Sequence, residues 1–145
     1  MKIYRVTDAT PQLIEALARL LPQLSSSATM PSEEHLKNLL SNSNIHLVAA
    51  ECEGVIAGML TLAIVDIPTG RKAWIEDVVT DDSFRGRGVG RALVEKAIAA
   101  AEEAGARKIY LTSNPSRKAA HALYAKCGFE QYDTGVFRLN ISHKE

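Results

Sequence analysis

The sequence has few of the features that would set it apart from ordinary globular proteins. Its two cysteines, Cys52 and Cys127, match no disulfide framework and no zinc-ligand spacing, so they favour a reducing compartment and predict no metal site. The N-terminal "MKIYRVTDAT" contains no long apolar run of the kind found in signal peptides and membrane anchors. We therefore expect a cytoplasmic protein that has no membrane partner.

A net charge is also absent, because 17 basic and 17 acidic side chains cancel. A neutral chain has no overall attraction for nucleic acid or anionic membranes. The arginine cluster at 85–91 is too short to follow a nucleic-acid backbone, so no nucleic-acid partner is expected. With 145 residues, 46% of them hydrophobic, and no repeat or interior linker, the chain is predicted to form a single domain over residues 1–145.

The first half of the chain is rich in predicted strands. A short strand is expected at 3–6, followed by two helices that begin after Thr10 and Ser32, residues that commonly cap helix N-termini. The stretch "IHLVAAECEGVIAGMLTLAIV" predicts two strands joined by a hairpin at 53–54. After a turn-rich connection, "AWIEDVVT" is predicted to form another strand.

The second half alternates helices and strands. A helix is expected from near Gly88 to Gly105, then a strand at 108–113, a helix from 114 to 128 and a closing strand at 135–141. The order βααβββαβαβ predicts an α/β protein in which helices flank a mixed β-sheet. Strands on either side of a crossover helix are parallel neighbours, and ligands bind at their carboxyl ends. Residues 78–91 and 112–117 are expected to meet there.

The stretch "DDSFRGRGVGRAL" places three glycines and three arginines immediately before a helix. Helix N-termini attract anions, and glycine lets a ligand approach the backbone closely. The stretch fits neither the dinucleotide pattern G-x-G-x-x-G nor a P-loop, because Arg91 or Leu93 stands where the last glycine belongs and no Gly-Lys-Ser/Thr follows. The remaining pattern is Arg-x-x-Gly-x-Gly, which Arg85, Gly88 and Gly90 fill.

That pattern resembles the signature of the GNAT superfamily of N-acetyltransferases, [Q/R]-x-x-G-x-[G/A]. The stretches "IEDVVTDDSFRGRGVGRALVEKA" and "KIYLTSNPSRKAAHALYAKCGFE" are similar to two successive family motifs, and the element order matches along nearly the whole chain. The resemblance implies the acyl-CoA N-acyltransferase fold and acetyl-CoA as co-substrate. The pyrophosphate would lie on the "RGRGVG" turn, and pantetheine would pair with the strand that ends in "VVT".

The resemblance assigns these residues to acetyl-CoA binding: Val78, Val79, Thr80, Arg85, Gly86, Arg87, Gly88, Val89, Gly90, Arg91, Asn114 and Arg117. Two of them depart from the family pattern. Many members have an asparagine seven residues before a tyrosine that matches Tyr124, and this chain has Arg117 there. Asn114 lies three residues earlier, where it fits a helix cap; it either contacts the cofactor or is purely structural, and in the second case Arg117 could instead reach the cofactor's phosphates.

Acetyl transfer to an amine requires a proton acceptor, because only about one lysine-like amine in 10³ is neutral at pH 7. The resemblance favours Glu76 as that base, directly or through water; the alternative is a rim carboxylate paired with an arginine. Asp77 is better explained as a structural carboxylate or a contact for the substrate amine. The two side chains point to opposite faces of a strand unless a bulge intervenes.

Tyr124 matches the tyrosine that faces the departing thiolate in the family. A phenol is a weaker acid than a thiol, so we expect it to donate a hydrogen bond to sulfur and to deliver its proton only as the pair separates. The alternative is a tyrosine that packs its helix onto the sheet. His121, one turn earlier, could assist as a base or contact substrate, although a lone helical histidine is more often packed or solvated.

The function expected from the resemblance is transfer of the acetyl group of acetyl-CoA to a primary amine of an unidentified small molecule, by direct attack in a ternary complex. The alternatives are a non-enzymatic acyl-CoA sensor and a protein N-terminal or lysine acetyltransferase. The acceptor is expected to lie against the loops at 25–36 and 66–72, since loops of this kind carry specificity. Family members are often dimers, so a homodimer is one expected assembly.

Overall fold

The computed structural model describes residues 1–141, and its centre is a five-stranded sheet in the order β1-β2-β3-β4-β5. The strands are β1 (Lys2–Val6), β2 (Ile45–Cys52), β3 (Val55–Ile67), β4 (Gly70–Thr80) and β5 (Ile109–Leu111). The helices are α1 (Pro11–Leu24), α2 (Glu33–Ser41), α3 (Val89–Glu103) and α4 (Lys118–Lys126). Strands β1 to β4 are antiparallel neighbours and β5 is parallel to β4, which confirms the predicted mixed sheet flanked by helices.

The first two helices begin where their capping residues predict. The Thr10 hydroxyl accepts a hydrogen bond from the Leu13 amide at 3.2 Å, and the Ser32 hydroxyl accepts one from the His35 amide at 3.1 Å. Each bond satisfies one of the amides that a helix N-terminus leaves without a partner. Pro11 occupies the first position of α1, where its missing N–H costs nothing.

Each face of the sheet carries a hydrophobic core. On one face, Leu13 and Leu20 of α1 pack in a cluster with Met59 and Val79. On the other face, Leu93 and Val94 of α3 pack in a cluster that also contains Leu60, Leu62 and Ile75. Fully burying one such side chain stabilises a fold by about 1.5–3 kcal/mol, so the two cores hold both helix layers firmly against the sheet.

The turns between the central strands agree only partly with the sequence. Glu53 and Gly54 both have positive φ, 54° and 77°, as a tight β2–β3 hairpin requires. The predicted connection at 66–72 is wrong, because β3 and β4 continue through most of it and only 68–69 form the turn. Asp66 and Arg71 face each other across this hairpin, with Nε and Oδ1 2.7 Å apart.

Three predictions near the C-terminus are wrong. Helix α4 begins at Lys118 instead of Asn114, because the Asn114 side chain accepts hydrogen bonds from the Ser116 amide at 3.0 Å and hydroxyl at 2.9 Å. This local turn competes with helix formation. The segment at 135–141 forms no strand, since nothing in the described chain pairs with its backbone. Strand β5 is also shorter than the predicted 108–113.

Candidate functional site

A cavity of about 750 Å³ lies where the carboxyl end of β4 meets the first turns of α3 and α4. From β4 to α3 it is lined by Val78, Thr80, Phe84, Arg85, Gly86, Gly88, Val89, Gly90 and Arg91. From the second motif it is lined by Ser116, Arg117, Lys118, Ala119, Ala120, Leu123 and Tyr124. The two sequence motifs therefore meet at one site, as their positions in the predicted topology require.

The cavity adjoins an open edge of β4. Strand β5 pairs with β4 only from Ala73 to Ile75, whereas β4 continues to Thr80. Beyond Ile75, no described strand covers the side of β4 that faces β5. Backbone amides and carbonyls along such an edge can pair with an extended ligand that carries amide groups of its own.

A β-bulge at Asp77 changes which side chains face this edge. Glu76 pairs with Thr61 and Val79 pairs with Met59, so β4 has one more residue than β3 in this interval. Asp77 has a φ of 53°, the left-handed conformation typical of a bulge. As a result Val78 and Thr80 line the cavity, while Val79 is buried in the core beneath α1.

The turn that precedes α3 leaves the first amides of that helix open. Gly86 and Gly88 both have a φ of 78°, which side-chain-bearing residues rarely adopt. No side chain caps α3, and none caps α4. The amides of Val89, Gly90 and Arg91 precede the first helical hydrogen bond, from Ala92 to Gly88, so they are available to an anion.

The arginines of the turn before α3 differ in their ion-pair partners and in whether they line the cavity. Arg85 forms an ion pair with Asp82 at 2.8 Å, and Arg91 forms one with Glu95 at 2.8 Å; both arginines line the cavity. Arg87 lies outside it, 3.5 Å from Glu53 and over the ring of Phe84. The residues that line the cavity include four basic ones, Arg85, Arg91, Arg117 and Lys118, and no Asp or Glu, so the lining is positively charged on the side where the helix N-termini lie.

Tyr124 is buried at the inner end of the cavity, and its ring packs edge-on against Phe129 at a centroid distance of 6.0 Å. Burial raises the pKa of its phenol above the ordinary value of 10.0, and the positive charge of Arg117 opposes part of that rise. The phenol is therefore protonated at neutral pH, and its O–H can donate a hydrogen bond.

Glu76 lies outside the cavity lining, on the other side of the bulge. It is solvent-exposed, and strand alternation places it on the same face as Trp74. Partial burial raises the pKa of its carboxyl above 4.5, and the nearby Asp77 carboxylate adds to that rise.

Two further candidates are held in the loop before α4. Asn114 bonds to Ser116 and does not line the cavity, while its carbonyl oxygen lies 3.0 Å from Nε2 of His121. Both residues therefore stabilise the loop. Phe84 and Ser116 lie in the two ranges expected at the site but were not assigned to cofactor binding, and sequence reasoning missed the α4 residues Lys118, Ala119, Ala120 and Leu123. Ala120 and Arg117 lie four and seven residues before Tyr124, so helical periodicity places them on the same helix face as Tyr124. That spacing could have predicted part of the α4 lining of the cavity.

Within residues 1–141, none of the helices combines the length and apolarity that crossing a bilayer requires.

Comparison with known proteins places most of the chain in one family. The model of the acetyltransferase (GNAT) family matches residues 11–129. The chain is 28% identical to the aminoglycoside N(6')-acetyltransferase type 1 of Stenotrophomonas maltophilia, over 91% of this chain and 90% of that protein. It is 43% identical over 60 residues to a rice (Oryza sativa subsp. japonica) protein named "Probable glucosamine 6-phosphate N-acetyltransferase 2". That match covers 41% of this chain and spans only 34% of the rice protein.

The fold is also found in solved structures. Glucosamine-6-phosphate N-acetyltransferase from Arabidopsis thaliana superposes with a TM-score of 0.81, covering 95% of this chain and 97% of that one. Sequence identity between the two is 24%, so the likeness concerns the fold alone.

Proposed function

The chain belongs to the GNAT family of acetyltransferases, and from that premise we propose that it transfers the acetyl group of acetyl-CoA to a primary amine of a small-molecule acceptor. The observation that carries the proposal is the pair of uncapped helix N-termini that open into one basic cavity beside the free edge of β4. The attack is direct, within a ternary complex. The two free cysteines support a reducing, cytoplasmic location.

The residues present fit acetyl-CoA. A cavity of 750 Å³ has the size typical of cofactor sites. The pyrophosphate would lie on the amides of Val89, Gly90 and Arg91, near the guanidinium groups of Arg85 and Arg117. A Cβ atom on Gly90 would come within 3.2 Å of the Leu123 side chain, so glycine lets the start of α3 pack closely against α4. The backbone of Val78 and Thr80 would pair with the pantetheine arm.

Acetyl-CoA supplies an acetyl group activated as a thioester. The protein must therefore remove a proton from the attacking amine and stabilise the sulfur as it becomes a thiolate. Glu76 accepts the proton, directly or through water, and its raised pKa brings it closer to that of the amine. Tyr124 holds its proton on Oη and donates a hydrogen bond to the sulfur.

The acceptor is proposed to approach from the Glu76 face of β4. Two of the relatives are named for aminoglycosides and for glucosamine 6-phosphate, which are amine-bearing carbohydrates. On the same face, the rings of Trp74 and Tyr110 stack at 5.1 Å with the Lys72 ammonium above them. The loop at 25–32 follows α1 on this side of the sheet. The 68–69 turn lies at the opposite end of β4, about 35 Å from Thr80 at ~3.3 Å per residue.

The proposal is tested by thermal unfolding with and without acetyl-CoA, together with release of free coenzyme A in the presence of amines. Saturation at a hundred times the Kd is expected to add about 2.7 kcal/mol to the free energy of unfolding. The amine panel includes an aminoglycoside, glucosamine 6-phosphate and lysine-bearing peptides. Absence of any thermal shift would disprove acetyl-CoA binding, and release with peptides alone would move the assignment to a protein acetyltransferase.

Two substitutions test the roles of the side chains. Glu76→Gln is expected to lower kcat by about 10²–10⁴-fold, because general-base catalysis contributes that much. Tyr124→Phe is expected to lower kcat about 10²-fold through loss of one hydrogen bond in the transition state. Both variants should bind acetyl-CoA as the parent does, measured by calorimetry, and Glu103→Gln on the far end of α3 serves as control.

The pH profile separates the two roles. Because the pKa of Glu76 is raised above 4.5, kcat/KM of the parent should fall as pH drops through that raised value, when the base becomes protonated. Glu76→Gln should lose this acid limb, whereas Tyr124→Phe should keep it. An unchanged acid limb in Glu76→Gln would assign the base to another group.

A further inference from the structure

A cluster of aromatic side chains lies on the sheet face that carries Glu76, outside the cavity lining. Trp74, the one tryptophan of the chain, stacks on Tyr110 with ring centroids 5.1 Å apart, and Tyr132 lies 6.0 Å from Tyr110. Trp74 and Tyr110 belong to neither hydrophobic core, and both are only half-buried. Such rings offer a flat, partly apolar surface on which the body of a ligand can lie.

Lys72 supplies a positive charge to this cluster. Its ammonium lies 5.8 Å from the centre of the Trp74 ring and 5.4 Å from the centre of the Tyr110 ring. Among residues 1–141, none of the ion pairs includes Lys72, whereas the preceding Arg71 is paired with Asp66. The rings attract the ammonium weakly, and its N–H groups can still donate hydrogen bonds. A ligand anion can therefore bind Lys72 without displacing a carboxylate of the protein.

The positive charge of Lys72 and the negative charge of Glu76 lie at a fixed spacing on one strand. Lys72, Trp74 and Glu76 occupy every second position of β4, so they share a face. Lys72 and Glu76 are about 13 Å apart along the strand at ~3.3 Å per residue, and Trp74 lies between them. The β3 residues paired with the last two are Ala63 and Thr61, whose small side chains leave the surface between the charges open.

We propose that this surface selects the acceptor, and that the acceptor is a primary amine that also carries an anionic group, a phosphate or a carboxylate. The anion pairs with Lys72, the body of the molecule lies on the Trp74 ring, and the amine reaches Glu76. Because the Lys72 ammonium lies near the Trp74 ring, the amine and the anion are separated by the length of two to four strand residues, about 7–13 Å.

The inference rests on the proposed acetyl transfer and adds a requirement to it. An acceptor with several amines and no anion would bring positive charge against Lys72, so such polycationic amines are disfavoured. Recognition by charge at one end and by an aromatic ring in the middle accounts for both half-buried rings and for the ammonium above them.

The first test compares acceptors that differ only at C6 of one amino sugar: glucosamine, glucosamine 6-phosphate and the analogue with a carboxylate at C6. Release of coenzyme A gives kcat/KM for each. Both anionic sugars should exceed glucosamine by about 10- to 100-fold, which is the contribution of a hydrogen bond to a charged group. The larger of the two values identifies the anion as phosphate or carboxylate.

Substitutions of Lys72 test whether that side chain is the source of the preference. Lys72→Gln should lose most of the ratio between the anionic and the uncharged sugar, through KM, whereas Lys72→Arg should keep it because a guanidinium also pairs with the anion. Lys96→Gln removes an exposed lysine of α3 and should keep the parent ratio. Equal ratios in the parent and in Lys72→Gln would overturn the proposal.

The second test needs no turnover, because fluorescence of the one tryptophan reports on this surface. Titration with glucosamine 6-phosphate should change the Trp74 emission saturably, with a Kd at least about tenfold weaker in Lys72→Gln. If amines release coenzyme A but neither the ratio nor the titration depends on Lys72, this inference fails and acetyl transfer stands. If acetyl-CoA gives no thermal shift, the proposed function fails, and the titration still decides: no saturable change in the parent would overturn the anion site.

Discussion

The two halves of the molecule differ in how their helix N-termini are capped. Helices α1 and α2 are capped by their own side chains, Thr10 and Ser32, and those ends lie away from the cavity. Helices α3 and α4 have no side-chain cap, and both begin in the cavity lining. A cap satisfies amides locally and stabilises a helix by about 1 kcal/mol. Where it is absent, the same amides are available to a ligand, so the comparison separates helices that stabilise the fold from helices that also bind.

An ion pair between the buried Asp81 and the partly buried Arg19 joins the two halves, and breaking it should give the largest effect. Asp81 accepts hydrogen bonds from the Ser83 amide and hydroxyl and pairs with Arg19 of α1. Arg19 also donates to the carbonyl of Ile56 at 2.9 Å. Loss of one partner from a buried pair costs about 3–5 kcal/mol. Asp81→Asn should therefore lower the free energy of unfolding by about 3 kcal/mol, measured by urea denaturation.

A matched control is the Asp–Arg pair between Asp66 and Arg71 on the exposed hairpin. Asp66→Asn should cost less than about 1 kcal/mol, because exposed pairs contribute little. Hydrogen bonds from Ser83, followed by the contacts with Arg19, hold the pKa of Asp81 below its ordinary 3.8. The stability that the ionised Asp81 carboxylate contributes is present above pH 3.8, and it is lost as the pH falls through the lower pKa of Asp81 in the folded protein. The free energies of unfolding of the parent and of Asp81→Asn should therefore converge at that low pH. Equal costs at the two sites would contradict this account.

Substituting the glycines at the two ends of α3 tests whether the uncapped turn before this helix binds acetyl-CoA. Gly88 and Gly105 have φ of 78° and 83°, and an added Cβ would meet no atom within 4 Å at either position. Alanine at either position should lower the free energy of unfolding by about 1–2 kcal/mol, because a residue with a Cβ atom is strained in the left-handed conformation. Only Gly88→Ala should also weaken acetyl-CoA binding, by about tenfold, because relaxing that turn redirects the open amides of α3. Calorimetric titration measures the difference, and equal affinities would exclude the turn from the binding site.

The smallest effects are expected at the capped helices. Thr10→Ala and Ser32→Ala should each lower the free energy of unfolding by about 1 kcal/mol, because one amide loses its partner. Neither should alter the Kd for acetyl-CoA, since neither residue lies near the cavity. A tenfold loss of affinity in either variant would mean that the two halves are coupled beyond the Arg19–Asp81 pair.

Local features were predictable from the sequence because neighbouring residues determine them. The caps at Thr10 and Ser32, the hairpin at Glu53-Gly54 and the end of α3 at Gly105 depend on hydrogen bonds and φ values within a few residues. The convergence of residues 78–91 with Ser116 and Arg117 followed from the handedness of a parallel crossover. The start of α4 at Asn114 was predicted wrongly, because a helix cap and a local side-chain turn use the same residue and the same acceptor atom.

The sequence alone determined the family resemblance, the sheet class and the glycine-rich turn before α3, since these depend on patterns that neighbouring residues carry. Only the tertiary structure revealed the bulge at Asp77, which turns Val79 into the core and leaves Val78 and Thr80 in the cavity. It also revealed the pairing of Asp81 with Arg19, 62 residues earlier, and the early end of β5. Each of these depends on groups that are distant in the chain and meet only when both cores have packed, so no local pattern encodes it.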